Sequence, residues 1–357
     1  MNTSLEMIKR LSDAPGASGF EDLVVSTARE YAEDLGTLEE DCLRNLYIYR
    51  HENTGTRPVI MLDAHSDEIG FMVHSIKPNG TLRFVALGGW SKNALVSAKV
   101  LVRNALGDYI PGVIASKPVH FMNTAERQNP TLEIRDMVID VGARSAEEAE
   151  NDFHIRIGEP IVPATKFSHD DRHDILYGKA FDCRIGCAVL LEVLKRLKGK
   201  TLPCDVVGVL SSQEEIGERG CKVAVNRVRP AAAVVLEGAP ADDTFSESYA
   251  IQCAFKEGPM FRFMDVSSVC NPRFMRYVLD LAKEKGLKVQ ASVREGGGNN
   301  SAVINTAQLG IPAVVAGVPV RYIHSMNGMT SMYDFEMTLN VITAILESLT
   351  PEDINGF

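Results

Sequence analysis

The sequence predicts an α/β protein, a doubly wound and mostly parallel sheet with a small all-β domain of barrel type inserted into it. Three observations carry this expectation. Pro58–His65 (PVIMLDAH) is a continuous apolar run ending in polar residues, as a strand buried on both faces reads. From Cys183 onward, helical and strand-like segments alternate, the pattern of a parallel sheet wound with helices. Between them, residues 71–164 hold short β-type runs punctuated by Gly, Pro and Asn, with no long helical period. The predicted division is a main domain of residues 1–70 and 165–357, with 71–164 as the insert. A length of 357 residues agrees with a prior of about two domains.

Taken in order, Leu5, Ile8 and Leu11 recur at helical spacing. Pro15–Gly19 follows as a turn, and Ser18-Gly-Phe-Glu21 has the spacing of a capping box leading into a helix over Leu23–Leu35. Within the insert, Leu82–Leu87, Leu95–Val102, Tyr109–Ile114 and Met137–Val141 read as strands. Beyond it, Cys183–Leu197 is predicted helical, Asp205–Leu210 a strand, Lys222–Val228 a short helix and Ala231–Leu236 a strand. Pro272–Lys285 reads as an amphipathic helix, Lys288–Ser292 and Ile311–Val320 as strands, and Phe335–Leu349 as a closing helix.

Hydrophobic residues make up 45% and charged residues 24%, which excludes disordered, collagen-like and disulfide-scaffold classes. A net charge of −10 withholds the electrostatic attraction on which nucleic-acid and anionic-membrane binding depend, so neither partner is expected. No apolar run reaches the ~18 residues of a membrane span. The N-terminus lacks an apolar core and carries Glu6 and Asp13, so a signal peptide is not expected. The seven cysteines are odd in number and none forms a C-x-x-C pair, which predicts reduced thiols in a cytoplasmic protein.

Five short segments carry residues suited to chemistry, and four of them follow a predicted strand, where ligands bind in open α/β sheets. Asp63-Ala-His65-Ser-Asp67-Glu68 places His65 and Asp67 two apart, so both point the same way in extended chain. A metal-bound imidazole usually donates its other N–H to a carboxylate, which makes Asp67 a candidate partner for His65. In Gly178–Gly186, Asp182 precedes a long apolar helix and reads first as an N-cap, with a bridging carboxylate as the functional reading. Ser211–Gly217 ends in Glu214-Glu215 before a glycine. Adjacent carboxylates pointing differently suit a division of labour, one binding a metal and the other taking a proton from water. Glu237 follows an apolar strand, with Asp242 and Asp243 beyond, and His324 follows another in Arg321–Ser325.

Singly, each segment has an ordinary reading as a turn, a cap or a solvated strand end. Together they supply His65, Asp182, Glu215, Glu237 and His324. Two histidines and three carboxylates suffice for two divalent metals sharing one carboxylate. These are N and O donors without sulfur, which suits zinc, cobalt or manganese. The cluster Ser168–Asp174 is richer in His and Asp, but it follows no apolar strand and reads as a solvated crossing from the insert.

With these motifs in this order, the sequence resembles the co-catalytic metallo-aminopeptidases related to glutamyl aminopeptidase and the tetrahedral aminopeptidases. The resemblance runs from Pro15–Gly19 through Asp63–Phe71, Gly178–Gly186 and Gln213–Gly220 to Gly310–Ser325. It implies a zinc-exopeptidase-like fold in which His65, Asp182 and Glu237 hold one metal and Asp182, Glu215 and His324 the other, Asp182 bridging. Glu214 would be the general base and acid, and Asp67 would orient His65. The metals would be zinc or cobalt, with manganese as a further option. The resemblance also implies an inserted β-barrel domain that mediates dimerisation, and dimers that build a dodecamer.

Three positions depart from the family's pattern. Glu237 stands where Asp is common, and Gly297-Gly298-Asn299-Asn300 stands for Gly-Gly-Thr-Asp. Met326 replaces a Pro after His324-Ser325. The two amides would remove a charge from the substrate side, and the loop after Met326 would shape a different pocket. The implied activity is release of N-terminal residues from short peptides. The alternatives are a metal-dependent amidohydrolase or deacylase acting on a blocked amine, and a non-enzymatic assembly protein on the same fold.

Overall fold

A computed structural model describes residues 3–128 and 133–357. Its largest sheet has eight strands, in spatial order Gly36–Glu40, Leu46–Arg50, Asp205–Ser211, Val59–His65, Ala232–Pro240, Ala313–Val320, Met260–Met264 and Gln290–Val293. The four strands from Asp205–Ser211 to Ala313–Val320 run parallel. An antiparallel hairpin, Gly36–Glu40 with Leu46–Arg50, closes one edge. At the other edge Met260–Met264 turns antiparallel to Ala313–Val320 and pairs in parallel with Gln290–Val293.

The predicted Pro58–His65 run forms the strand Val59–His65, buried in succession from Ile60 onward. Successive side chains of a strand point to opposite faces, so unbroken burial means that both faces are covered. Asp205–Ser211 is buried throughout for the same reason. Much of the cover comes from the helix Phe181–Arg196, which packs across Val59–His65 and Ala232–Pro240. Thr3–Asp13 and Met332–Ser348 pack against that helix in turn. It is buried nearly all round, which explains an apolar run without a polar stripe.

The strand order opens a crevice. From Val59–His65 the chain passes through the insert to Asp205–Ser211 on one side, then crosses to Ala232–Pro240 on the other. Such a switch leaves a cleft beyond the carboxyl ends of the strands. Register sets the depth there, with Ser211 level with His65 and Leu236 level with Ala64.

In the insert, Gly70–Ile76, Leu82–Leu87, Ile139–Asp140, Tyr109–Ile114, Lys99–Arg103 and Pro160–Pro163 pair in that order and close into a barrel. Closure removes the edges that a small sheet would otherwise expose. The barrel has its own core, where Phe71 stacks on Trp90 at 4.7 Å and meets Phe84 edge-on at 4.9 Å. Leu82–Leu87 and Tyr109–Ile114 form as read, and the other two runs yield shorter strands. Leu95–Val102 reduces to Lys99–Arg103, because Lys92–Ala94 forms a single helical turn and the Ala98 amide donates back to Leu95 O at 3.0 Å. Met137–Val141 reduces to Ile139–Asp140. Three strands of the main sheet, Gly36–Glu40, Leu46–Arg50 and Met260–Met264, were not predicted.

Candidate functional site

The carboxyl ends of the parallel strands bring the five sequence segments together. His65 ends its strand, Glu237 sits inside Ala232–Pro240, and Glu214 and Glu215 lie in the turn after Ser211. His324 lies just past Val320. Asp182 does not cap its helix, contrary to its first reading. The helix has no side-chain cap, and Asp182 is non-helical at φ −85°, ψ 107°. Its carboxylate turns toward the strands instead. One oxygen lies 3.2 Å from His65 Nε2 and the other 3.2 Å from His324 Nε2. Glu237 Oε2 is 3.5 Å from His65 Nε2, and Glu215 Oε2 is 3.5 Å from His324 Nε2. Glu214 stands further off, 3.9 Å from His65.

The ligand-type side chains are held from behind. Asp67 Oδ1 lies 3.3 Å from His65 Nδ1 and accepts the Glu214 amide at 2.9 Å. Its other oxygen accepts the Glu215 amide at 3.2 Å and the Ser18 hydroxyl at 2.6 Å. His324 Nδ1 lies 2.9 Å from Gly89 O, a carbonyl of the barrel. With that nitrogen donating to the carbonyl, Nε2 stays free for a ligand. Ala180, Gln213 and His324 all have positive φ, a strained conformation of the kind that clusters at functional sites.

Burial sets the electrostatics. It pushes Glu214 well above the usual carboxylate range and Glu215 up to about 8, with neighbouring carboxylates adding to both. Burial also pushes Glu237 up to about 7. Burial alone would lower both histidines, but surrounding acids outweigh it. His324 rises to about 9 beside Asp182 and Glu215, and His65 rises well above its ordinary value. Glu215 Oε1 and Glu237 Oε1 are buried with no hydrogen-bond partner. Unpartnered buried carboxylate oxygens are costly, and a cation among them would relieve the cost. Among the described residues, three groups have the spacing to hold a metal: His65, Asp182, Cys183 and Glu237; His65, Glu214 and Glu215; and Asp182, Glu215 and His324. The cavity that they line holds about 380 Å³ and is lined also by Arg262, Arg294 and Gly296–Gly298.

Several readings of the sequence change here. Ser18 and Glu21 form no capping box, and the following helix, Asp22–Ala32, has no side-chain cap. Ser18 goes to Asp67, while Glu21 accepts the amides of Gly19 at 2.8 Å and Gln213 at 3.1 Å. Both therefore brace the site, a role that their helix-start spacing concealed. Asn299 and Asn300 do not face the substrate side. Asn299 donates to Asp265 at 2.7 Å, and Asn300 donates to Asp63 at 2.7 Å and to Ser211 Oγ at 2.9 Å. Both are buried away from the cavity wall, so their amides remove no charge from it. Met326 packs into the barrel core rather than the cavity. Asp242 and Asp243 pair with Arg294 and Arg321. Ser168–Asp170 pairs with Ile175–Gly178 as a hairpin, with His173 exposed and 2.7 Å from Asp170.

The M42 glutamyl aminopeptidase family profile matches residues 45–341. The chain belongs to the M42 glutamyl aminopeptidase family. This M42 peptidase is 31% identical over 350 residues to the glutamyl aminopeptidase of Lactococcus lactis subsp. cremoris, covering 98% of this chain and 97% of that one. It is 30% identical over 359 residues to the lysyl aminopeptidase of Pyrococcus furiosus, covering 98% of each. Its fold matches the TET aminopeptidase of the marine sediment archaeon Thaumarchaeota archaeon SCGC AB-539-E09, with a TM-score of 0.95, 36% identity and 99% of each chain covered. It also matches a Pyrococcus horikoshii TET1 peptidase that can assemble into a tetrahedron or a large octahedral shell. That match has a TM-score of 0.87 and 26% identity, and covers 97% of this chain and all of that one (100%). The M42 peptidase is thus a peptide-bond hydrolase with aminopeptidase relatives at both levels of comparison, which sets aside the non-enzymatic reading.

Proposed function

We propose that this chain is a two-metal aminopeptidase that releases N-terminal residues from short peptides, with Glu214 as general base. The observation that carries the reading is Asp182, whose two oxygens each face a different histidine at 3.2 Å. His65, Asp182 and Glu237 would hold one ion, and Asp182, Glu215 and His324 the other. Bound zinc, cobalt or manganese would supply Lewis-acid polarisation and a more acidic water. Glu214 also lies within ligand distance of His65 and Glu215, but it stands further from His65, at 3.9 Å, than Asp182 or Glu237 do and borders the same cavity, so it can take a proton from water and return it to the leaving amine. Burial raises its proton affinity, the direction a base needs. Asp67 keeps His65 and the Glu214–Glu215 turn in register.

Arg262 and Arg294 line the cavity, each already paired with a carboxylate at 3.0 Å, Asp265 and Asp242 respectively. The amidohydrolase alternative leaned on Asn299 and Asn300, which face away from the cavity. A homo-oligomer built from dimers through the barrel, up to a dodecamer, fits the exposed Val85, Val113, Val119 and Phe121 of the insert. A relative with 26% identity is solved as a dodecamer. All seven cysteines are free, which fits a reducing, cytoplasmic setting.

The test is a panel of aminoacyl-p-nitroanilides and their N-acetylated twins, with cobalt or zinc added and an EDTA control. Metal-dependent cleavage of free-amine substrates is the expected result. Cleavage of only the acetylated twins would overturn it.

A further inference from the structure

A sulfur atom stands within the site that residue spacing described as nitrogen and oxygen alone. Cys183 Sγ, a ring nitrogen of His65 and carboxylate oxygens of Asp182 and Glu237 all lie within 4.8 Å of one another. Cys183 is buried, as are His65 and Glu237. Two local features turn it inward. Asp182 and Cys183 both have non-helical backbone at the start of their helix, so Cys183 does not follow the helix's radial spacing. Gly186 leaves the space that the sulfur fills, since a Cβ there would come within 2.5 Å of it. In the same group, Glu237 keeps Oε1 buried and unpartnered. The shell therefore contains a donor-poor pocket of negative and polarisable atoms.

We propose that Cys183 supplies a thiolate ligand to the metal held by His65, Asp182 and Glu237. This rests on the two-site reading above and goes beyond it by naming a fourth, softer ligand. As the sulfur–metal bond forms, the S–H proton passes to solvent and nothing is oxidised or reduced. Thiolate ligation favours zinc, cobalt and cadmium over manganese. The sulfur would thus make the first position selective, while Asp182, Glu215 and His324 offer the second ion only nitrogen and oxygen. The competing role for Cys183 is as a thiol that only donates to Leu236 O, which lies 3.0 Å away.

The experiment is a cobalt(II) titration of the metal-free full-length protein, followed by absorption, with bound metal counted by elemental analysis. An intense near-ultraviolet sulfur-to-cobalt charge-transfer band should grow with one equivalent. It should vanish in Cys183→Ser, with cobalt still bound, and persist in Cys187→Ser, whose thiol donates to His65 O at 3.0 Å. Competition titrations should show Cys183→Ser losing on the order of tenfold in its preference for cadmium over manganese. Cobalt bound without the band, or a band that survives in Cys183→Ser, overturns the sulfur ligand and leaves the two-metal reading standing. Failure to bind cobalt at all overturns both. Should Cys183→Ser not fold, X-ray absorption of the zinc-loaded wild type decides. A sulfur neighbour at the metal supports the ligand, and a shell of nitrogen and oxygen only removes it.

Discussion

Glu214 and Glu215 are neighbours in sequence yet face different histidines, and the turn between them is held by the two oxygens of Asp67. That arrangement makes their roles separable by mutation. Glu214→Gln keeps the side chain's shape but cannot accept the proton, so kcat should fall about 10²- to 10⁴-fold with metal content unchanged. Steady-state kinetics beside elemental analysis checks this, and an unaltered kcat would remove Glu214 from the mechanism. Asp67→Asn should act differently. It weakens the hold on His65 and on both glutamate amides, so metal affinity should drop about 10- to 100-fold, read by chelator competition. The ligand-type residues could be read from sequence because four of the five segments lie at or after the end of an apolar strand and the fifth opens a long apolar helix, in a recognisable order. Ser18, Glu21 and Cys183 could not. The first two carry the spacing of a helix start, and only the folded chain shows their side chains spent on Asp67 and Gln213. Asn299 and Asn300 erred the other way, since proximity in sequence to family motifs says nothing about which way an amide points.

At the scale of elements, a buried charge cluster ties three segments together behind the proposed metal ligands. Lys179 Nζ donates to Glu68 at 2.6 Å, Arg184 lies 3.5 Å from the same oxygen, and the Gly16 amide donates to it at 3.0 Å. The two cations also reach carbonyls of the N-terminal turn, Lys179 to Ala14 and Arg184 to Leu11, Ala14 and Gly16. This joins the turn Pro15–Gly19, the His65 strand end and the stretch around Asp182. All three side chains are buried, so Glu68→Gln strands two cations without their counter-charge. The expected cost is about 3–5 kcal/mol, measured by denaturant unfolding. A loss below about 1 kcal/mol, the scale of an exposed pair, would show that solvent reaches the cluster. The long apolar strand and the helix–strand alternation were plain in the sequence because deep burial leaves unbroken apolar runs. Leu82–Leu87 and Tyr109–Ile114 of the barrel were legible, but edge strands such as Gly36–Glu40 bury only alternate residues and the barrel strands Ile139–Asp140 and Pro160–Pro163 are 2 and 4 residues long, so these leave no pattern that a window can separate from a loop.

Across the whole molecule, the proposed ions would connect ligands from five separate segments, so metal binding and global stability should move together. The sign of the pH effect follows from the metal-free site. Buried Glu237 holds its proton up to about 7 and buried Glu215 up to about 8, and His324, lifted by Asp182 against the pull of burial, holds its own up to about 9. Each folded value lies above the ordinary one, so the metal-free fold binds more protons than the unfolded chain. The stability these groups contribute is present at low pH and is lost as pH rises through those values. A metal must displace the same protons, so its affinity climbs over the same window. Both effects widen the gap between metal-bound and metal-free protein from about pH 6 to about pH 9. At a free-metal level of about 100 Kd, bound metal adds about 2.7 kcal/mol, and that increment should shrink toward zero as the buffer is acidified. Thermal unfolding with cobalt or with EDTA, repeated across that range, reads the gap directly. Calorimetric titration at pH 7 should also register proton release, scaling with the ionisation enthalpy of the buffer. A metal-induced shift in Tm that stays flat with pH would mean that Glu215, Glu237 and His324 do not bind the ion.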